Sequence, residues 1–447
     1  MEAGAAAPAP ERPEASAPWP SAPYAWWVVA VLTLTQALAF VDRQVLALLV
    51  EPIKRDLHVS DTQISLLYGL TFALFYVAVA LPIARLADSS NRRNIVAGAV
   101  TVWSLMTGLC GLAGNFPQLV AARLGVGAGE AGLSPAAQSM MADYFPKERL
   151  SAALGLFSMG ISLGGGLALI GGGALIAEAP RIAHWLSPDH AMPAWRIVML
   201  AVGLPGLLVA ALFVTVREPA RRGSGTTALP LSDVLAWLSR HRWTYLGLMG
   251  ALSMMVFVGQ AGSAWIPAFF ERRFGWTGPE VGARYGPLVL VCGGAGFLAG
   301  GLIASWLRRG RAPRAYLQVG LVGFALAAAF ATAFPLAPSA NAALTLIGAM
   351  GFFAGLPSGG GYAALQEITP ARMRAQVTAF NGLMVNLIGA GLGPLSVGLI
   401  TDYGFHDARK IQLSLTLVAA VAGPVTLAAF ALALRGYAKA SEAAGAR

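Results

Sequence analysis

Charge is scarce in this chain: Lys, Arg, Asp and Glu together make up 12% of its 447 residues, roughly half the share usual in a water-soluble domain. Hydrophobic residues reach 56% and mean hydropathy is +0.64, which excludes a soluble enzyme. Cysteine is almost missing. Cys110 and Cys292 lie far apart inside apolar runs, so neither a disulfide framework nor a zinc site is implied. Histidine is rare too, and His58, His184, His190, His241 and His406 all fall in polar connections. A proton relay at membrane depth therefore has to use carboxylates, and a membrane-embedded enzyme lacks the His or Cys cluster that catalysis there would need. Residues 1–23, rich in Ala, Pro and Glu with a single Arg, have no apolar core of their own. They are not a signal peptide and are expected to form a disordered tail.

Long apolar runs dominate the rest. They extend from Tyr24 to Val50, Thr62 to Leu86, Asn94 to Ala113, Phe116 to Tyr144, Ala152 to Ala177 and Ala194 to Val216. After a polar stretch come Tyr245 to Phe270, Tyr285 to Leu307, Ala315 to Phe334, Ala340 to Leu365, Ala375 to Ile400 and Ile411 to Leu434. Each is long enough for a helix that crosses a bilayer. The expectation is an all-α membrane protein of twelve transmembrane helices: a six-helix bundle over 24–216, a linker over 217–244, a second six-helix bundle over 245–434 and a tail over 435–447.

Orientation follows from the cations. Connections after the even-numbered spans hold Arg92, Arg93, Lys147, Arg149, Arg217, Arg221, Arg222, Arg240, Arg242, Arg308, Arg309, Arg311, Arg314, Arg372 and Arg374 with few acids, whereas the opposite connections offset their cations with Asp and Glu. Loops rich in Lys and Arg stay in the cytoplasm, so both termini are expected inside. The net charge of +10 is spread over these loops and does not form a nucleic-acid footprint.

The halves repeat weakly. Phe145 to Arg149 after the fourth span parallels Thr369 to Arg374 after the tenth, and Ala84 to Asp88 before Arg92-Arg93 parallels Gly301 to Ser305 before Arg308-Arg309. Six plus six helices around a midplane cavity is an arrangement of secondary transporters.

Four charges remain at membrane depth: Asp42, Arg43, Arg123 and Glu130. Each costs at least about 2.5 kcal/mol to insert there, which makes such residues functional by default. At 1.5 Å per residue Asp42 lies roughly 12 Å from the outer end of the first span, and Arg123 roughly 10 Å down the fourth. The two are level and can pair, as a structural bridge or as part of a working site. Glu130 is two turns deeper on the face of Arg123, with no evident partner. Burial favours a neutral carboxyl and a nearby guanidinium favours the ionised one, so a changing distance between them can load or release a proton. Polar and aromatic residues in the spans, namely Tyr68, Gln138, Gln260, Trp265, Tyr362, Asn381 and Asn386, can line a cavity or bond between helices. Gly125, Gly127 and Gly129 lie inside an apolar span, not after a strand, so they indicate close helix packing and no dinucleotide loop.

Leu86-Ala87-Asp88-Ser89-Ser90-Asn91-Arg92-Arg93 resembles the major facilitator signature between helices 2 and 3, and Arg123 with the three glycines resembles the helix 4 signature. Asp42-Arg43, Gly129-Glu130-Ala131 and Ala142 to Pro146 look like the bacterial side of the Spinster family. The loop departs from its signature at Ala84, Ser89 and Asn91, where Gly, Arg and Gly are usual. The resemblance implies the major facilitator fold, two bundles related by a pseudo-twofold axis in a bacterial inner membrane. It also implies an inner gate in which Asp88 meets the positive end of helix 11, with Arg92, Arg93 and the half-repeat position Ser305 beside it. The function so implied is proton-coupled transport of an amphipathic anion such as a lysophospholipid or a sphingosine-phosphate-like lipid. Arg123 or Arg43 would receive the head group, and Asp42 with Glu130 would carry protons. A small organic anion symporter and a non-transporting sensor are the alternatives. Neither metal nor organic cofactor is called for, and a monomer among membrane lipids is expected.

Overall fold

The computed structural model describes residues 19–186, 192–221, 230–309, 315–370 and 373–445. Among these, helices follow one another without a strand. They are α1 (Ala22–Leu48), the short α2 (Val50–Leu57), α3 (61–89), α4 (Arg92–Gly111), α5 (Phe116–Glu130), α6 (Leu133–Tyr144), α7 (Lys147–Leu186) and α8 (Ala194–Leu212). Beyond the linker come α9 (Leu231–Arg240), α10 (Arg242–Phe274), α11 (278–309), α12 (Ala315–Ala333), α13 (Ala340–Glu367), α14 (374–405) and α15 (Ile411–Gly445). Eleven of the described helices are long and apolar enough to cross a membrane. Their outward faces carry side chains such as Leu208 and Leu298, 72% and 67% exposed, which suits contact with lipid and not with water.

The expected fourth span departs from this pattern. It is two helices, α5 and α6, that meet at Ala131-Gly132, where the backbone tightens as Gly132 N–H bonds to Gly129 O. A Cβ on Gly129 would stand 2.8 Å from the backbone nitrogen of Trp103, so glycine lets α5 press against α4. Glu130 is the last residue of α5, at the break itself.

Through most of the expected tail after Leu434 the chain stays helical, because α15 runs on to Gly445. Its last turns are rich in good helix formers, and Tyr437 and Ser441 donate hydrogen bonds to Glu367 of α13.

Packing recurs across the two halves: α1 lies on α7 as α10 lies on α14, α4 lies on α5 and α6 as α12 lies on α13, and α4 lies on α8 as α12 lies on α15. The halves meet where α7 lies on α11, and again where α3 and α14 cross. Both helices widen there into π-type turns, over 66–70 and 385–391, and a Cβ on Gly69 would come within 2.7 Å of Gly391 O.

Candidate functional site: a charged cluster beneath an apolar cavity

Asp42, Arg43, Arg123 and Glu130 converge within the first half, and Asp42, Arg123 and Glu130 are almost wholly buried. Their pairing differs from the sequence expectation. The Arg43 guanidinium, not that of Arg123, pairs with Glu130: Nε donates to Oε2 at 2.6 Å and Nη2 contacts the same oxygen. Asp42 Oδ2 instead accepts from Thr107 Oγ1 of α4 at 3.1 Å, with Arg123 in electrostatic reach but forming no ion pair. The reason is rotational. Consecutive residues on a helix point about 100° apart, so Asp42 turns toward α4 while Arg43 turns toward α3 and the break after Glu130.

Aromatic rings complete the cluster. The Arg43 guanidinium carbon stands 4.3 Å from the centre of the Phe72 ring, 5.2 Å from Phe40 and 5.7 Å from Tyr76. Arg123 lies 5.8 Å from Phe72. Such contacts offset part of the cost of burying a cation. Arg123 Nε and Nη1 and Glu130 Oε1 are buried with no hydrogen-bond partner among the described residues. Unused donors and acceptors inside a protein are expensive, which favours a further polar partner at these atoms.

A cavity of about 610 Å³ opens between the halves on the side of the linker. Tyr76, Val77 and Ala80 of α3 and Ser134, Pro135 and Gln138 of α6 form one wall; Gln366, Arg374, Thr378, Ala379, Gly382, Leu383 and Asn386 form the other. Its surface is mainly apolar, and Tyr76 separates it from Arg43 by one ring.

Of the expected lining residues, Gln138 and Asn386 reach this cavity. Trp265 does not: it is 1% exposed and donates to Pro394 O at 3.1 Å, tying α10 to α14. Asn381 is fully buried, Gln260 is half-buried on α10, and Tyr68 stands against Ser263 Oγ at 3.4 Å. Tyr362, Asp88 and Ser305 lie outside the described side chains. Arg92 and Arg93 bind the first half and the start of the linker. Arg92 bonds to Glu218 at 2.7 Å, to Asp143 and to Ser139, while Arg93 Nε donates to Phe213 O at 2.9 Å.

The end opposite the linker is closed by contacts that sequence reasoning missed. Arg272 of α10 reaches across to the first half, donating to Asp61 Oδ2 at 2.6 Å and Oδ1 at 2.7 Å and to Glu51 Oε1 at 2.7 Å. Lys54 adds a further contact to Asp61, and Thr62 N–H donates to Asp402 Oδ2 at 2.6 Å. Nearer the middle, Gln44 and Ser263 bond reciprocally through side chains and backbone. Read along the chain, these charges only balance one another in short connections. Arg374, taken from the sequence as a loop charge, is another missed member of the cavity wall.

The sequence profile of the Major Facilitator Superfamily matches residues 32–394. An MFS-type efflux pump of Mycolicibacterium smegmatis is 30% identical over 89% of this chain and 89% of its own. A probable L-galactonate transporter of Escherichia coli is 25% identical, covering 89% of this chain and 87% of that one. The crystal structure of a bacterial homologue of the human lysosomal transporter Spinster, inward-facing and occupied, superposes with a TM-score of 0.75 at 31% identity, over 95% of this chain and 98% of that one. With its paired helical halves and interhalf cavity, the chain belongs to the Major Facilitator Superfamily and is a multi-pass transmembrane transporter of Spinster type.

Proposed function

We propose that the protein moves an amphipathic anion, such as a lysophospholipid or a sphingosine-phosphate-like lipid, by proton-coupled alternating access. The observation that carries this reading is the mainly apolar 610 Å³ cavity set one ring away from a buried group of two arginines and two carboxylates. An acyl chain suits the wall of Val77, Ala80, Pro135, Ala379 and Leu383, while an anionic head suits the planar donor fork of Arg123, two of whose nitrogens are unpaired. Arrival of an anion would draw Arg43 or Arg123 from the carboxylates, and a carboxyl so deprived favours its neutral form. Substrate and proton then compete for the same cations, which is a coupling device. Both termini and the linker are assigned to the cytoplasm of a bacterial inner membrane, on the Lys and Arg bias of the loops, so the cavity faces inward; a monomer is the proposed working unit.

A second reading, symport of a small organic anion, is favoured by the likeness to a protein named a probable L-galactonate transporter. Liposome transport separates the two. A panel of lysolipids and sugar acids, with and without a pH gradient, should give gradient-stimulated movement of the lysolipids and not of the acids. Glu130→Gln keeps size and hydrogen bonding but removes titration, so it should bind substrate and lose the stimulation by the gradient. Survival of that stimulation in Glu130→Gln, with loss in Asp42→Asn, would transfer the proton role to Asp42.

A further inference from the structure

The linker contains an element that belongs to neither the charged cluster nor the cavity wall. Helix α9 (Leu231–Arg240) begins after Pro230, carries Asp233 in its first turn and Arg240 in its last, an order of charge that suits the helix dipole. Its ten residues are strongly two-faced. Val234 and Trp237 are buried on the second half, where Trp237 Nε1 donates to Tyr245 OH at 2.9 Å and Tyr245 in turn donates to Ile368 O at 2.8 Å. At 100° per residue, Leu231, Leu235 and Leu238 fall on the flank beside that buried face, while Ser232, Asp233, Ala236 and Arg240 fall opposite. Leu231 is 63% and Leu235 48% exposed. An apolar flank of this kind is left uncovered by the described residues.

What covers it is indicated by its neighbours. The next turn begins membrane-spanning α10, whose first residues present Trp243 and Leu246, 58% and 54% exposed, to the outside. Trp243 holds the Arg242 guanidinium 5.5 Å above its ring, the pairing of aromatic and cation found at the boundary between hydrocarbon and head groups. The flank of α9 is therefore continuous with the lipid-facing band of α10. Residues 217–242 hold five arginines against Glu218 and Asp233, and Glu218 is already engaged by Arg92 and the backbone of Arg93. Arg240 and Arg242 are exposed beside the start of this membrane-spanning helix.

We infer that α9 is an interfacial anchor, seated in the head-group layer with Leu231 and Leu235 in the acyl boundary and Arg240 and Arg242 on anionic phospholipid. Because α9 is joined through Tyr245 to the end of α13, lipid charge at this point bears on how firmly the linker end of the second half is held. The inference is independent of the transported substrate.

Nitroxides on Leu235→Cys and, as the polar-face reference, Ser232→Cys test it, in a Cys292→Ala background that leaves only the fully buried Cys110. The proteins are reconstituted in phosphatidylcholine with and without phosphatidylglycerol, and relaxation by oxygen and by a water-soluble nickel chelate is compared. The anchor predicts a chelate accessibility several-fold lower at 235 than at 232, falling further when phosphatidylglycerol is added. Arg240→Gln with Arg242→Gln should abolish the second effect and leave the first. Equal chelate accessibility at the two positions overturns the seating. A phosphatidylglycerol response unchanged in the double variant, or missing in its parent, overturns the anionic-lipid assignment.

Discussion

Arg272 offers the sharpest test of how the conformational cycle is held. Its guanidinium makes two bonds to Asp61 and one to Glu51 across the boundary between halves, plus one to Ala408 O at 3.1 Å on its own side. The Arg272 and Asp61 side chains are 7% and 0% exposed. Removing one partner from a buried ion pair costs about 3–5 kcal/mol, since the other is left buried and uncompensated. Here Lys54 stays on Asp61 and Glu51 is 17% exposed, which brings the expected loss for Arg272→Gln down to about 2–3 kcal/mol, at or below the lower edge of that range. The loss falls on the conformation closed at this end, because opening separates the partners and returns Asp61 to water. A difference of that size shifts the ratio of open to closed molecules by about 30–150-fold. Nitroxides on the exposed His58 and Arg409, one in each half, should report longer distances by electron–electron resonance in Arg272→Gln than in the wild type. Arg272→Lys, with charge but no fork, should fall between them. Superimposable distance distributions in liposomes would refute the claim that the cluster holds this end shut.

Three other outcomes are expected. Gly69→Ala puts a methyl 2.7 Å from a backbone oxygen of the other half; it should lower thermal stability by about 1–3 kcal/mol and lengthen the same distance, and an unchanged melting temperature counts against a tight crossing of α3 and α14. Arg123→Lys keeps charge but loses the planar fork, so substrate affinity should drop at least tenfold, about 1.4 kcal/mol, whereas unaltered affinity in a binding titration would confine Arg123 to a structural part. Ser224→Cys should be unreactive toward an impermeant thiol reagent in intact cells and reactive in inverted vesicles, the reverse pattern turning the topology over.

Hydropathy carries the architecture in this chain because lipid admits only helices and closed barrels, so apolar length alone marks where the spans lie. It does not mark where a span breaks. Phe116 to Tyr144 reads as one span despite Arg123 and Glu130, and the interruption at Ala131-Gly132 combines the approach of α4 to Gly129 with Pro135, which has no N–H to offer the Ala131 carbonyl one turn back. The helical ends show the same limit in reverse: α7 and α10 run past the expected spans into polar residues, since the bilayer sets how much of a helix is apolar and not how long it is.

The site was legible in depth and illegible in direction. Asp42, Arg43, Arg123 and Glu130 stand out in the sequence because a charge in hydrocarbon needs a reason, and in the structure the four lie together. Height along an axis says nothing of angle about it, which is why Glu130 was matched with no partner while its neighbour across the gap was Arg43. Trp265 failed for the same cause: an aromatic at cavity height turned its indole N–H to Pro394 O. The closing cluster was hidden differently. Asp61 and Arg272 are 211 residues apart, each beside opposite charges in its own connection, so local balance accounted for both. That two ends of one transporter rely on such unlike devices follows from solvent access. At the linker end, Arg92 ties the first half to the start of the linker through Glu218, and a cavity lies open between the halves; at the other end, Arg272 crosses between halves to the buried Asp61 and can be released only by letting water in.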